Sequence, residues 1–142
     1  MSTSFNQQVV DEFRANSGKV GGYFEGARLV LLTTRGARTG REHTVPLAFL
    51  PDGERILVIG SAGGSPRHPA WFHNLVAHPR VRVEDGSSSY EAEAVVLDGD
   101  ERDRVFARAV AGNAGWADYQ AKVTRTIPVV ALTRRESTSP PR

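Results

Sequence analysis

The stretch LLTTRGARTGREHTVPL, residues 31–47, contains the pattern that decides the fold. Two apolar runs rich in β-branched residues flank a short polar loop with two glycines, which predicts two antiparallel strands. The loop also carries Arg35, Arg38 and Arg41. A plain turn between two strands needs none of this positive charge, so the same stretch raises the question of what the arginines face.

Six runs in the chain have the composition of short strands, and close turn signals separate them. They lie at residues 27–34, 42–50, 55–61, 80–85, 88–97 and 126–134. The segments DGER and EDGSSS between them are typical of hairpin turns. Strands and helices do not alternate regularly, so the order favours an antiparallel sheet or small barrel over a doubly wound parallel sheet.

A short amphipathic helix is predicted over residues 4–15. Apolar residues recur at positions 5, 9, 10 and 13, after Ser4, a residue type that caps helices. We expect this helix to pack on the protein's own core. The alternative is peripheral contact with a membrane surface, which is less favoured because the polar face mixes acidic and basic residues.

Three further helices are expected beside the sheet, at residues 69–78, 98–112 and 116–123. The chain has 142 residues, 39% of them hydrophobic, which is enough for one core, and no linker divides it. We therefore expect a single domain over residues 1–134. Residues 135–142 are polar and proline-rich, and they predict a disordered tail.

The composition excludes several classes of function. The chain has no cysteine, which excludes disulfides, thiolate-bound metals and cysteine nucleophiles. Its 18 basic and 16 acidic residues nearly balance, which argues against a nucleic-acid partner. The N-terminus does not resemble a signal peptide, and no apolar run approaches the roughly 20 residues of a membrane span. We therefore expect a cytoplasmic protein.

Neither a metal site nor a serine-hydrolase site is indicated. His68, His73 and His78 are spaced by five residues, and five helical steps rotate a side chain by about 140°. The three imidazoles therefore cannot share one helix face, and no metal is expected. Ser61 and Ser65 lie outside the GxSxG pattern of hydrolases.

The arginine-bearing loop, residues 35–41, is suited to a small polyanion. Its glycines allow consecutive N–H groups to converge on an anion, and neighbouring guanidiniums bind phosphate or carboxylate through two hydrogen bonds each. The loop matches neither the P-loop pattern nor the dinucleotide-binding fingerprint. The alternative is a solvated turn whose arginines keep the edge of the sheet soluble.

A second glycine-rich stretch, residues 60–75, runs from the end of a predicted strand into a predicted helix. Its glycines would let a flat ligand approach the backbone closely, and the N-terminus of the helix favours negative charge. The stretch is therefore suited to lining a planar ring. The alternative is a flexible connector in which Trp71 is an ordinary core residue.

Trp116 and Tyr119 lie three residues apart, which places them on neighbouring positions of a helical turn. They would wall a pocket for an aromatic ligand, with the tyrosine hydroxyl as a hydrogen-bond donor or proton source. The alternative, which is the more common use of such residues, is that both belong to the core.

Together, three stretches of this chain resemble the deazaflavin-dependent nitroreductase family of actinobacteria. They are LVLLTTRGARTGREHTVPLAFL, GSAGGSPRHPAWFHNLVAHPRVRVE and DYQAKVTRTIPVVAL. The resemblance implies a mainly β (α+β) fold, a split β-barrel with six antiparallel strands in a Greek-key-like order and flanking helices. It also implies the cofactor F420, which joins a deazaflavin ring to a phosphate and a polyglutamate tail. The arginines would then face that anionic part.

The resemblance also assigns residues to the cofactor. Arg38 and Thr39 match the phosphate contacts, Arg35 and Arg41 the helpers for the tail, and Gly40 belongs to the same loop. Further matches are Pro46 on the next strand, the ring-facing backbone at Ser61, Ala62, Gly63 and Gly64, and the closing helix at Trp71 and Asn74. Ala62 replaces a lysine of the nitroreductase proper.

On the substrate side, Tyr119 matches a tyrosine beside the substrate, while Trp116 and Asn113 stand where the nitroreductase has other tyrosines. These departures concern the substrate and not the cofactor. The reaction expected is hydride transfer from reduced F420 to an electron-poor small molecule, a quinone, an enone or a nitroaromatic compound. Tyr119 or Ser61 would supply a hydrogen bond to the negative charge that develops.

Two other functions fit the same residues. The first is an FMN-binding split-barrel oxidoreductase, although FMN has no glutamate tail that would need three arginines. The second is a non-catalytic F420 carrier, which would bind the cofactor tightly without turnover. The sequence leaves open whether the chain is a monomer or a homodimer.

Overall fold

The computed structural model describes residues 5–19, 21, 29–61, 65–86 and 88–135. Its helices are α1 (Phe5–Ala15), α2 (Ala70–Ala77), α3 (Gly99–Gly112) and α4 (Gly115–Ala121). Its strands are β1 (Leu29–Arg35), β2 (Glu42–Ala48), β3 (Leu50–Asp52), β4 (Arg55–Ile59), β5 (Arg80–Glu84), β6 (Ser89–Leu97) and β7 (Val129–Arg134). The cap predicted at Ser4 and the tail after residue 135 lie outside the described residues.

The strands form one sheet in the order β2-β1-β5-β6-β7-β4-β3, and all neighbours are antiparallel. β2 and β3 are the two edges of this sheet, yet only Phe49 separates them along the chain. A single residue cannot cross the width of a flat seven-stranded sheet, since neighbouring strands lie about 4.8 Å apart. The sheet therefore curls until the end of β2 lies next to the start of β3, which confirms the predicted split barrel.

The sequence predicted six strands, and the described sheet has seven. Every predicted run contains a strand, but the second run divides at Phe49 into β2 and β3. The reason is a change of partner, because β2 pairs with β1 whereas β3 pairs with β4. The predicted DGER turn is confirmed between β3 and β4, where Asp52 and Arg55 are paired.

Helix α2 lies inside the curl of the sheet. Trp71 and Leu75 belong to one buried cluster with inward side chains of β1, β4, β5, β6 and β7. An α-helix is about 10 Å across, so five strands share one cluster with it only if they wrap around it. The interior is thus filled by one short helix, and the loops at either end of α2 are brought next to the strand ends.

The remaining helices cover the outer face. Val10 and Phe13 of α1 pack on Leu31 of β1, which confirms that the N-terminal helix docks on the protein's own core. At the other end of the sheet, α3 buries Phe106 and Ala109 against β4 and β7. Between these two layers the outer face of β5 and β6 is charged, because Val81 and Ala92 point inward and their neighbours along each strand point outward.

Candidate functional site

The loop between β1 and β2 is folded tightly on itself. The amide of Gly36 donates to the carbonyl of Arg41 at 2.7 Å, and the amide of Gly40 donates to the carbonyl of Gly36 at 2.9 Å. Gly40 has φ +73°, a conformation that costs other residues strain. A Cβ at Gly36 would lie 2.8 Å from Thr39 Oγ1, which is too close. The two glycines of this loop are therefore required by its geometry.

Asn74 joins this loop to α2. Its Oδ1 accepts a hydrogen bond from the amide of Ala37 at 3.0 Å, and its Nδ2 donates to Thr34 Oγ1 at 3.1 Å. Asn74 and Thr34 are both buried, so the bond between them is not easily replaced by water, whereas the bond to Ala37 is part-buried. The amide side chain thereby sets the distance between the loop and the helix.

A cavity of about 620 Å³ opens between this loop, β2 and α2. Four of the predicted cofactor-binding residues line it, namely Arg38, Thr39, Trp71 and Asn74. Much of its remaining wall is provided by Val45, His43, Ala70 and His73. A largely apolar cavity with a cation at its rim is suited to a flat ligand that carries a negative charge at one end.

The three arginines of the loop are exposed, and none of their guanidiniums forms an ion pair or hydrogen bond with any residue that the structure describes. Most guanidiniums elsewhere differ in this respect. Those that pair with carboxylates are Arg14, Arg55, Arg82, Arg102, Arg108 and Arg135. The loop therefore concentrates positive charge that is not neutralised within the described part of the chain.

The structure separates four of the predicted contact residues from the cavity. Arg35 belongs to β1 and lines a groove on the outer face of the sheet together with Arg80 and Arg82. Pro46 is paired with Leu31, which packs under α1, so its ring also lies on the outer face. Side chains alternate along a strand, and the cavity is on the other side. Gly40 and Arg41 are exposed and do not line the cavity either.

The second glycine-rich loop follows β4. Its first residue, Gly60, donates its amide to the carbonyl of Pro128 at 2.9 Å, and a Cβ at Gly60 would lie 2.8 Å from Pro128 Cγ. Ser61 is buried at the next position. The other predicted ring contacts, Ala62, Gly63 and Gly64, lie outside the described residues. The described start of the loop thus packs directly on the segment before β7.

Sequence reasoning missed Arg125, which holds this second loop. Its guanidinium donates to the carbonyls of Gly60 at 3.1 Å, Ser61 at 2.9 Å and Ser65 at 3.1 Å. The side chain is partly buried, and its partners are carbonyl oxygens and one imidazole. The only signal in the sequence was an arginine directly before an apolar strand. Its partners are backbone atoms about sixty residues away, and no sequence pattern marks them.

The imidazole that contacts Arg125 is His68, with Nδ1 at 2.9 Å from the guanidinium. Arginine only donates hydrogen bonds, so Nδ1 must accept and the ring proton must lie on Nε2. Burial lowers the pKa of His68, and repulsion from Arg125 and His73 lowers it further. His68 is therefore neutral at pH 7. Within the described ranges, no group of three or more His, Cys, Asp or Glu residues is placed to hold a metal.

Trp116 and Tyr119 lie side by side on α4, as predicted, with ring centroids 6.0 Å apart and planes at 69°. Both are half-buried and pack against the core under α3, and neither lines the 620 Å³ cavity. Asn113 precedes this helix, and its Oδ1 accepts a hydrogen bond from the amide of Gly115 at 2.9 Å. The aromatic pair is therefore part core and part surface.

The helix α4 is nevertheless connected to the second loop. Gln120, next to Tyr119, donates through Nε2 to the carbonyl of Arg125 at 2.8 Å and accepts from the amide of Ile127 at 2.9 Å. Arg102 of α3 donates to the carbonyl of Ile127 at 2.7 Å. These bonds fix the segment from which Arg125 reaches the loop.

None of the helices in the described part of the chain is both long enough and apolar enough to cross a lipid bilayer.

Comparison with known proteins gives a consistent result. A family model described as F420H(2)-dependent quinone reductase matches residues 5–134. An F420H(2)-dependent quinone reductase of Mycobacterium tuberculosis is 36% identical over 127 residues, which cover 87% of this chain and 85% of that protein. An identity of 36% over this much of both chains is higher than a shared fold alone would require.

Two solved structures match the fold and the sequence together. A chain solved as a domain-swapped dimer is 33% identical with a TM-score of 0.70, over 88% of this chain and 92% of its own. An F420-H2 dependent reductase, FDR-A, is 35% identical with a TM-score of 0.68, over 79% of this chain and 99% of its own. The chain therefore belongs to the F420H(2)-dependent quinone reductase family.

Proposed function

We propose that this protein transfers a hydride from reduced F420 to a quinone. The observation that carries the proposal is the cavity beside α2, with Arg38 at its rim, whose guanidinium has no partner among the residues that the structure describes. Family membership confirms the split-barrel fold and F420-dependent reductase activity that the sequence led us to expect. The choice of a quinone as the acceptor rests on the name of the family and of the mycobacterial relative.

The described residues fit F420 by size and charge. A volume of about 620 Å³ lies within the roughly 300–1,000 Å³ typical of ligand pockets. The largely apolar wall suits a fused ring, and Arg38 at the mouth, which has no carboxylate partner among the described residues, suits a phosphate or carboxylate. FMN would use the ring site and one anionic site, but would leave most of the loop's charge without a partner.

In this proposal Arg38 and Thr39 bind the phosphate, and Arg41 contributes its charge at the exposed end of the loop. Trp71 lies against the ring, while Asn74 positions the loop through Ala37. Arg35 lies across the sheet, so it would reach only an extended tail that bends around the strand end. Ser61 and the residues after it would face the ring through their backbone.

When bound, reduced F420 supplies the hydride. Addition of a hydride to one quinone oxygen leaves negative charge on the other oxygen, and one proton on that oxygen then completes the hydroquinone. Neither Ser61 nor Tyr119 lines the cavity beside α2, so either would donate the hydrogen bond that stabilises this charge only to a quinone that extends beyond that cavity. The buried walls around α2 would exclude water from the reacting atoms.

The test is a binding titration of the purified protein with F420 and with FMN, followed by fluorescence of Trp71 and Trp116. We expect saturable quenching with F420 and little with FMN. Oxidation of reduced F420 is then followed with 1,4-naphthoquinone as the acceptor. Preference for FMN would identify a flavin enzyme on the same barrel. Tight F420 binding without oxidation over a panel of quinones, enones and nitroaromatics would identify a carrier.

We also propose that residues 1–134 act as one domain in the cytoplasm, as a monomer or homodimer. The domain-swapped dimer among the similar structures supports a dimer. Peripheral contact with a membrane, where quinones reside, stays a prediction. Light scattering after gel filtration and sedimentation with anionic vesicles would test the two points separately.

A further inference from the structure

We propose that Arg125 is a positioning residue that fixes the described ends of the second loop, at Gly60, Ser61 and Ser65, before the deazaflavin ring binds. The proposal rests on the proposed function for its cofactor, but the position of these ends is a property of the protein alone. Three carbonyls of the loop, at Gly60, Ser61 and Ser65, accept hydrogen bonds from one guanidinium. A guanidinium is the side chain that makes this possible, since it carries five donors in a rigid fork.

Arg125 is held in place before it reaches the loop. Gln120 binds the carbonyl of Arg125 and the amide of Ile127, and Arg102 binds the carbonyl of Ile127. The backbone of this segment is therefore fixed by side chains from α3 and α4. A side chain that projects from fixed backbone loses less conformational freedom when it forms its contacts, which makes it an effective support.

Arg125 joins the two ends of the loop that the structure describes. Gly60 and Ser61 lie at one end and Ser65 at the other, and their carbonyls accept hydrogen bonds from the same guanidinium. The two ends are thus held at a fixed separation in the folded protein before ligand binds. Binding then costs less, because these ends do not have to be brought together at that moment.

Arg125 also brings a positive charge, and this role must be separated from the positioning role. Burial lowers the pKa of Arg125, and no carboxylate lies against it among the described residues, but arginine stays protonated at neutral pH. Lysine retains the charge and loses the fork. Arg125→Lys therefore distinguishes the two roles, with Arg125→Ala as the complete loss and Arg104→Ala, on the exposed side of α3, as the control.

The first measurement is amide hydrogen exchange by NMR on the cofactor-free protein, at Ser61, Ser65 and Arg67. We expect exchange at these amides to accelerate at least about tenfold in both Arg125 variants, the loss expected for removing a charge-assisted hydrogen bond. Amides of β1 and β6 should keep their protection, which shows that the variants are folded. Arg104→Ala should match the wild type.

The second measurement is affinity for F420, together with the separate values of kcat and KM. We expect both Arg125 variants to bind F420 about tenfold more weakly. Exchange and affinity in Arg125→Lys equal to those of the wild type would overturn the proposal, because charge alone would then suffice. Faster exchange in the variants of a protein that does not bind F420 would overturn the proposed function while leaving the ordering role intact. Unchanged exchange in the variants of a protein that binds F420 would overturn the role of Arg125 while leaving the proposed function intact.

Discussion

The two glycine-rich loops reach their order in different ways. The loop after β1 is closed by its own backbone, through the bonds among Gly36, Gly40 and Arg41, and is anchored by Asn74. The loop after β4 is held from outside by the guanidinium of Arg125. The first loop can thus keep its arginines exposed for a ligand, whereas the second depends on an arginine from a distant part of the chain. Similar composition does not imply a similar origin of structure.

The largest effect is expected when the anchor of the first loop is removed. Asn74→Ala leaves the buried Thr34 hydroxyl and the Ala37 amide without their partner, and should cost about 2–3 kcal/mol of unfolding free energy. Urea denaturation measures the loss. Val76→Ala on the exposed side of the same helix is the control, and should stay within about 0.5 kcal/mol. Equal losses in both variants would contradict the role of Asn74 as the anchor.

A somewhat smaller effect is expected at the start of the second loop. Gly60→Ala would place a Cβ 2.8 Å from Pro128 Cγ and should cost about 1–3 kcal/mol through overpacking. The matched control is Gly112→Ala at the end of α3, where a Cβ meets nothing within 4 Å. That change should be neutral or gain up to about 1 kcal/mol. Thermal denaturation of both variants measures the two changes in stability. A Gly60→Ala variant as stable as the wild type would show that the close contact with Pro128 is easily relieved.

The charge of the first loop is tested by comparing Arg38 with Arg35. Arg38→Ala should weaken F420 binding by about 1–2 kcal/mol, a modest value because the side chain is exposed. Arg35→Ala should have a smaller effect, since Arg35 lies on the opposite face of the sheet. The titration is repeated at high salt, which should reduce the contribution of Arg38. A larger loss of F420 affinity in Arg35→Ala than in Arg38→Ala would indicate that the tail binds in the outer groove.

The smallest effect is expected from pH, through His68. Its pKa is lowered in the folded protein, so the unfolded chain binds the proton more readily. The contribution of neutral His68 to the free energy of unfolding is therefore complete above the ordinary histidine pKa of about 6.5. It declines as the pH falls toward the pKa of His68 in the folded protein. His68→Asn keeps an acceptor for Arg125 and does not titrate, so it should flatten this part of the pH profile. An unchanged profile would assign the decline to other groups.

Much of the fold could be predicted because its signals are local. Each strand run, the DGER turn and each helix were marked by residue type and spacing, and the structure confirms them. The division of the second run at Phe49 could not be predicted in this way. It results from a change of pairing partner from β1 to β4, and both partners are set by tertiary structure.

The candidate site was only partly predictable. The resemblance brought together Arg38, Thr39, Trp71 and Asn74, and the structure places all four around one cavity. It did not show that Arg35 points to the other face, although the alternation along β1 would have suggested it. Arg125 could not be found, because its function depends on backbone carbonyls that carry no mark in the sequence. The roles of Ser61 and Tyr119 stay predictions.

Pro46 has a consequence beyond the site. It lies in β2, an edge strand that pairs with β1 alone in the described sheet. An open strand edge is a template on which another chain can add a strand and start aggregation. Proline has no N–H to offer, and it is tolerated in a sheet mainly at such an edge. The ring at position 46 therefore interrupts the row of donors along β2 and protects the barrel against strand addition at high protein concentration.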